Sequence, residues 1–292
     1  MTHYAKGCLY ILGSILLWAF FPTISKLSLS ELPPIISYCI TVACAGGFFL
    51  LLVAKNNRWQ ELKDRRVLKD SFFAAIFISV LFYGLYFYGL QYTEAGSASI
   101  IALSEVLWTF LLFNVWKKEF IDGQKILGII LMLLAAILAL SQNTVHLNIG
   151  EFIIFFGTAF APFGNFYQKR ARTYASSETI LFLRSVFSVP LLLIISFAIG
   201  ERIGGNISNN IILLLILNGF FLAGLSKIFW LEGITRISVT IAQGLHSFTP
   251  VLTLITAFLI LSEIPNPYQV ASLIPALIGI RLLFSEKKLK NV

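Results

Sequence analysis

The chain has 292 residues, 58% of them hydrophobic and only 12% charged, with a formal net charge of +8. Soluble domains carry roughly 25% charged residues, so this much apolar surface excludes a water-soluble fold and leaves the bilayer as solvent. The positive excess does not mark a nucleic-acid binder, because Lys and Arg sit in the breaks between apolar runs and not on one amphipathic face, as membrane topology requires.

A spanning helix needs about 20 mostly apolar residues. Such runs cover 7–27, 34–54, 71–91, 96–116 and 124–141, and then 148–168, 178–199, 210–231, 237–261 and 266–284. They predict an all-α integral membrane protein of ten transmembrane helices with barely any linker and no separate soluble domain. The first run can span and no small-residue cleavage site follows it, so it reads as a retained helix and not a signal peptide. Cys8, Cys39 and Cys44 lie inside apolar runs without metal-ligand spacing and read as small buried apolar residues.

Charge alternates from loop to loop. The 55–70 loop carries Lys55, Arg58, Lys63, Arg65, Arg66 and Lys69; 117–125 carries Lys117, Lys118 and Lys125; Lys169, Arg170 and Arg172 follow the sixth run; Lys287, Lys288 and Lys290 lie in the tail. The breaks near 92–95, 142–147 and 262–266 hold no Lys or Arg. Positive loops stay cytoplasmic, which predicts a multi-pass protein of the inner (plasma) membrane with both termini cytoplasmic. Lys26 and Arg202 are the exceptions on the outer side. Lys26 reads either as a snorkelling side chain or as a rim charge of a substrate path.

The second half repeats the first. The stretch from Gly89 to Glu119 aligns without a gap on the stretch from Gly233 to Glu263, an offset of 144 that also pairs Gly13 with Gly157 and Lys26 with Arg170. The expected division is 1–144 and 145–292, five helices each. An odd count turns the second copy upside down relative to the first. Two inverted five-helix repeats are typical of secondary transporters, because two related halves can exchange packings around a midplane site. Channels also use such repeats.

Several segments give the chain a likeness to a known family. GSILLWAFFPTISK (13–26) has a mid-helix Trp and a terminal Lys, GLQYTEAGSASII (89–101) enters helix four, and Glu119 and Glu263 open the four–five and nine–ten turns. With the order of these motifs and the 5+5 repeat, the chain resembles the drug/metabolite transporter superfamily, specifically its EamA-type members, over nearly its full length. The resemblance implies a central cavity lined by helices 1, 3, 4, 6, 8 and 9, with helices five and ten peripheral, and substrates ranging over amino acids, amines, nucleotide-type metabolites, drugs and carboxylates. Family members often carry Pro near Val106. Here Glu105 precedes Val106, and only the second copy keeps a proline, Pro250, at the matching position.

Glu105 lies about nine residues into the fourth run, roughly mid-bilayer at 1.5 Å per residue. A carboxylate at that depth is a functional-site candidate by default, here as proton carrier or cation ligand; a hydrogen-bonded structural Glu is the plain alternative. His246 sits at similar depth on helix nine, and its mate at the repeat offset is Ala102, one turn from Glu105. Glu105 and His246 are the proton-coupling candidates. Lys227 on helix eight is the mate of Tyr83 on helix three. Lys227 and Arg184 both lie toward the cytoplasmic ends of their runs, where snorkelling competes with function. Glu105 and Lys227 facing one cavity would hold the two ends of a zwitterion, or neutralise each other when it is empty.

Trp18, Tyr83 and Trp108 are candidate cavity aromatics, able to attract a cation over their faces or simply to pack. Gln243, one turn before His246, and Asn165, beside Gly164, are candidate polar ligands. The expected substrate site is thus Glu105, His246, Trp18, Tyr83, Trp108, Lys227, Gln243 and Asn165. Pro22, Pro162 and Pro250 should kink helices one, six and nine.

Phosphate-cradling glycine loops, paired aspartates for prenyl diphosphates and metal-spaced His/Cys sets are missing. The sequence therefore predicts no enzyme, no cofactor and no metal. It predicts a monomer or homodimer in a lipid bilayer that handles a small-molecule substrate and no nucleic acid. The leading function is secondary active transport of an amino acid, amine or similar solute by alternating access, driven by protons or by exchange. A passive pore or lipid scramblase of the same fold is the alternative.

Overall fold

The computed structural model describes residues 2–117, 123–140, 148–237, 242 and 245–284. Helix is the regular structure among them. The first copy holds α1 (His3–Trp18), α2 (Phe21–Ser28), α3 (Pro34–Lys55), α4 (Arg65–Ala74), a π-helical segment (Ala75–Tyr83), α5 (Gly84–Leu90), α6 (Ala95–Ala102), α7 (Ser104–Lys117) and α8 (Gly123–Leu140). The second holds α9 (Ile149–Gly157), α10 (Ala161–Ala171), α11 (Ser177–Ala198), α12 (Asn209–Leu217), a second π segment (Asn218–Leu225), α13 (Ser226–Ile234), α14 (Thr249–Leu261) and α15 (Pro267–Phe284).

Seven stretches among the described residues are long and apolar enough to cross a membrane: His3–Ser28, Pro34–Lys55, Arg65–Leu90, Ala95–Leu112, Ile149–Ala171, Ser177–Ala198 and Asn209–Ile234. Ile126–Leu138 and Thr249–Leu261 are shorter apolar helices. The outside of the bundle is apolar, with Phe197, Leu259 and Ile194 largely exposed. A soluble monomer rarely shows such a surface, and here it faces lipid.

Two helices run longer than their apolar content predicts. The third begins at Arg65, inside the basic loop, because the Asp64 carboxylate accepts the Arg66 N–H at 2.8 Å and caps it. The sixth continues to Ala171, where Arg170 pairs with Asp70 of α4 at 2.5 Å. Arg65, Arg66, Lys69, Lys169 and Arg170 therefore extend helices at what we term the basic end of the bundle.

The packing follows the repeat. α3 packs on α11 and α8 on α15, each pair being the same helix of the two copies. α1 packs on α13 while α5 packs on α9, so the contact between helices one and eight has its counterpart between three and six. The two π segments also match, overlapping when one copy is shifted by 144 onto the other. The offset fails in one place. The helix that starts at Phe21 follows a break capped by Phe20, and its counterpart starting at Ala161 is capped by Phe160, an offset of 140. One helical turn is thus missing between the first helices of the two copies, and Gly13–Gly157 and Lys26–Arg170 are not structural mates.

Breaks fall just before Pro22, Pro162 and Pro250, each at the first or second position of the next helix, where its missing N–H is tolerated. Each break frees backbone carbonyls that a neighbouring helix satisfies. Ala19 O accepts the hydroxyls of Thr253 at 3.0 Å and Thr256 at 3.1 Å. Phe155 O accepts Thr158 Oγ1 at 2.6 Å and Trp108 Nε1 at 3.2 Å. Helix nine thereby fills the break in helix one, and helix four serves the break in helix six. Helix four breaks at Leu103 with no proline at all, matching the break at Ser247 and Phe248 in helix nine.

Carboxylates of one copy cap helix starts of the other, which suits the positive pole of a helix N-terminus. Glu201 accepts Ile35 N and Ile36 N, each at 3.0 Å, and Glu263 accepts Ala95 N at 3.0 Å. In the reverse direction Glu61 accepts Ser176 N at 2.8 Å and Glu31 accepts Ser208 N at 2.7 Å. Glu263 therefore acts as a cap between copies. Its repeat mate Glu119 lies outside the described residues.

Candidate functional site

The helix breaks leave a central cavity of about 110 Å³ between the copies, room for several waters or the atoms of a small solute. Trp18 and Pro22 enter from the first helix, Tyr83 with Phe82 and Tyr86 from the third, and Glu105 and Ala102 from the fourth. The second copy supplies Asn165 and Gln168, Arg184, Lys227 and Trp230, and His246 with Thr249 and Pro250. Among the described residues helices five and ten contribute none of the lining, and helix seven contributes Arg184.

Repeat mates meet at the centre. Lys227 Nζ donates to Tyr83 Oη at 3.1 Å across a separation of 144 residues. Residues related by a two-fold operation touch only close to its axis, so this pair marks the axis. The π segments put them there: each ends at or beside its mate, and π turns, which shift helix register, are frequent at functional sites. The ammonium also lies 3.5 Å from the centroid of the Trp18 ring, a cation–π contact. Trp18 is fixed in turn by stacking on Phe21, with centroids 4.1 Å apart.

Glu105 belongs to the same lining. Its Oε1 accepts Asn165 Nδ2 at 2.7 Å, and no ion pair within 4.0 Å joins it to Lys227. His246 stacks edge-on against Trp230 with centroids 5.0 Å apart and lies 3.4 Å from Thr249 Oγ1 through Nδ1.

Of the residues expected from sequence, Glu105, His246, Trp18, Tyr83, Lys227 and Asn165 line this one cavity. Trp108 lies outside the lining, its indole N–H engaged by Phe155 O. Gln243 lies outside the described residues. Arg184 is the lining residue whose position the sequence disguised. It is 8% exposed and does not snorkel. One signal was available: Arg184, Ser185 and Ser188 form a polar stripe on an otherwise apolar helix, and all three are buried.

One side of the cavity is sealed. Toward the end opposite the basic one, Thr23 and Thr256 share a hydrogen bond of 3.0 Å and Ser99 donates to Thr253 at 3.2 Å. Farther out, Gln269 donates to Glu94 at 2.7 Å and Ser97 at 2.9 Å, and Lys26 donates to Leu90 O at 2.7 Å. The other direction ends within about a helical turn of the basic end, at Gln168 and Trp230.

A lipid-facing helical bundle of two matching copies, with one charged cavity at their junction, defines a membrane transport protein. The model of the EamA-like transporter family matches residues 5–141 and again 148–285. The chain belongs to that family and serves the membrane transport of a solute. An uncharacterized transporter of Clostridium kluyveri is 26% identical over 210 residues, covering 68% of this chain and 67% of that one. A crystal structure superposes with a TM-score of 0.70 at 15% identity, covering 95% of this chain and 96% of the other; at that identity the likeness concerns the fold.

Proposed function

We propose that the chain is a secondary active transporter that moves a small polar or amphipathic metabolite, an amino acid or amine first, across the cytoplasmic membrane by alternating access. Ten transmembrane helices form two inverted five-helix repeats, 1–144 and 145–292, with the basic end and both termini cytoplasmic. The observation that carries this reading is the Lys227–Tyr83 contact between repeat mates inside a cavity built by both copies. A site on the axis of two related halves is reached from either face when the halves exchange packings. The hydrogen-bonded seal confined to one side of the cavity supports it further, because alternating access requires the two sides to differ in any one state.

Glu105 is the coupling carboxylate in this reading, with His246 as its partner candidate, and Asn165 holds its orientation. Saturable counterflow in proteoliposomes, with a panel of amino acids, amines and nucleosides, tests the function. Flux that follows the gradient without saturation or counterflow would mean a pore or scramblase instead. Glu105→Gln should lower proton-dependent flux about 10- to 100-fold, as expected for a charged hydrogen-bonding group worth about 1.5–3 kcal/mol, while leaving the fold intact. Unchanged flux in Glu105→Gln and His246→Ala would remove both from the mechanism.

A further inference from the structure

Two cations and one carboxylate among the described residues line the cavity: Arg184, Lys227 and Glu105. The carboxylate already has a donor, Asn165. The cations are less well served. Arg184 is 8% exposed, and its Nε is buried with no hydrogen-bond partner among the described residues. Lys227 has the Tyr83 hydroxyl and the Trp18 ring but no carboxylate within 4.0 Å, and Arg184 lines the same cavity. A buried charge without a partner is costly, and a second like charge in the same cavity raises that cost. The cavity thus carries an excess of positive over negative side chains, with Glu105 as its one carboxylate among the described residues.

We propose that Arg184 and Lys227 form the subsite for a carboxylate of the transported solute, so that the cavity selects small organic carboxylates and amino acids over amines of the same size. The proposal rests on the transport reading and names its substrate class. A guanidinium meets a carboxylate through parallel N–H donors, and an ammonium adds a point charge; Arg184 and Lys227 both line the cavity where such a carboxylate would enter. Trp18 and Tyr83 hold Lys227 in place and wall the site against the apolar body of the solute. Glu105, in the same lining, offers an opposite charge to the ammonium of an amino acid, which makes a zwitterion acceptable and an amine without a carboxylate a poor ligand.

Three compounds that share one branched carbon skeleton separate the poles: L-leucine, 4-methylpentanoate, which lacks the ammonium, and 3-methylbutylamine, which lacks the carboxylate. Binding to the purified full-length chain is read by intrinsic tryptophan fluorescence, since Trp18 and Trp230 both line the cavity. The two carboxylates should bind, and the amine should bind roughly 10- to 100-fold more weakly, the usual range for a charged hydrogen bond. Arg184→Gln should erase that preference, and Arg184→Lys should restore part of it. A purely structural Arg184 would weaken all three compounds alike. The proposal is overturned if the amine binds as well as the carboxylates, if none of the three binds, or if Arg184→Gln leaves the ratio unchanged. Counterflow of L-leucine in vesicles is scored separately: carboxylate preference without counterflow would end the transport reading and leave the anion subsite standing.

Discussion

The two ends of the bundle are joined by different chemistry. At the basic end guanidinium–carboxylate pairs join the copies near the surface: Arg170 to Asp70 at 2.5 Å and Arg58 to Glu178 at 3.9 Å. Within the second copy, Arg172 reaches Glu232 at 3.4 Å. At the opposite end buried hydroxyls donate to a backbone carbonyl, the Gln269 amide donates to the buried Ser97 hydroxyl, and amides donate to the part-buried carboxylates of Glu94 and Glu263. The guanidiniums of the pairs between the copies are about half exposed, so solvent screens those pairs, whereas buried hydrogen bonds must all be made together or leave polar groups unsatisfied. The basic end is therefore suited to opening by degrees, and the opposite end to opening as a unit.

The largest expected effect comes from breaking that unit. Thr253→Val combined with Thr256→Val strips Ala19 O of both side-chain donors at nearly constant shape. An unsatisfied buried acceptor costs about 1–3 kcal/mol, so the sealed state should lose roughly five- to a hundredfold in population. Cysteines placed at the far end of the bundle should then label faster with a membrane-impermeant maleimide added from outside. A matching change at the basic end, Arg58→Gln, should alter labelling little on either side. Equal effects of the two changes would abolish the contrast between the ends.

A smaller effect is expected at Glu61. Burial alone would push its carboxyl up, but Ser176 and Thr179 donate to it and Arg58 lies beside it, so the net shift is below the ordinary carboxylate range. A depressed value means stability that is fully present above the unfolded value near 4.3 and lost as pH falls through the folded one. Glu61→Gln should lower thermal stability at neutral pH by about 1 kcal/mol, with the difference from the native chain shrinking only in strong acid. A difference that closes already near pH 6 would contradict the assignment.

Glu263, at the far end, has the reverse sign and the smallest expected effect. Burial, helped by Glu94, pushes its carboxyl above the ordinary range, against the Ala95 N–H and Lys26. A raised carboxyl destabilises the fold above its folded value and ceases to do so as pH falls through it. Glu263→Gln should therefore equal or slightly exceed the native chain in melting temperature at pH 8, and lose that advantage on acidification. Unfolding curves in detergent between pH 4 and 8 check the opposite slopes of the Glu61 and Glu263 variants.

Much of this protein was legible without coordinates. Apolar runs gave the membrane and the rough places of the helices, because hydrocarbon imposes the same requirement on every span. The 144-residue offset exposed the repeat and paired Lys227 with Tyr83 before their contact was known. Glu105, Lys227 and Asn165 stood out because polar groups at mid-depth are too costly to be incidental.

Tertiary structure alone decided the rest. In a soluble helix, polarity marks the outer face; in lipid, apolar side chains suit the inside and the outside equally. Sequence therefore leaves open which side of an apolar helix meets which neighbour. That is why Trp108, close to Glu105 in the chain, proved to fill the break in helix six, while Arg184, read as a charge near the membrane edge, proved to be buried at the cavity. It is also why the one-turn slip between the first helices of the copies was invisible: the glycines at 13 and 157 match in sequence, but the Phe20 and Phe160 breaks set the register. Hydropathy determined that this chain lives in a membrane; only packing decided which of its few charges face one another there.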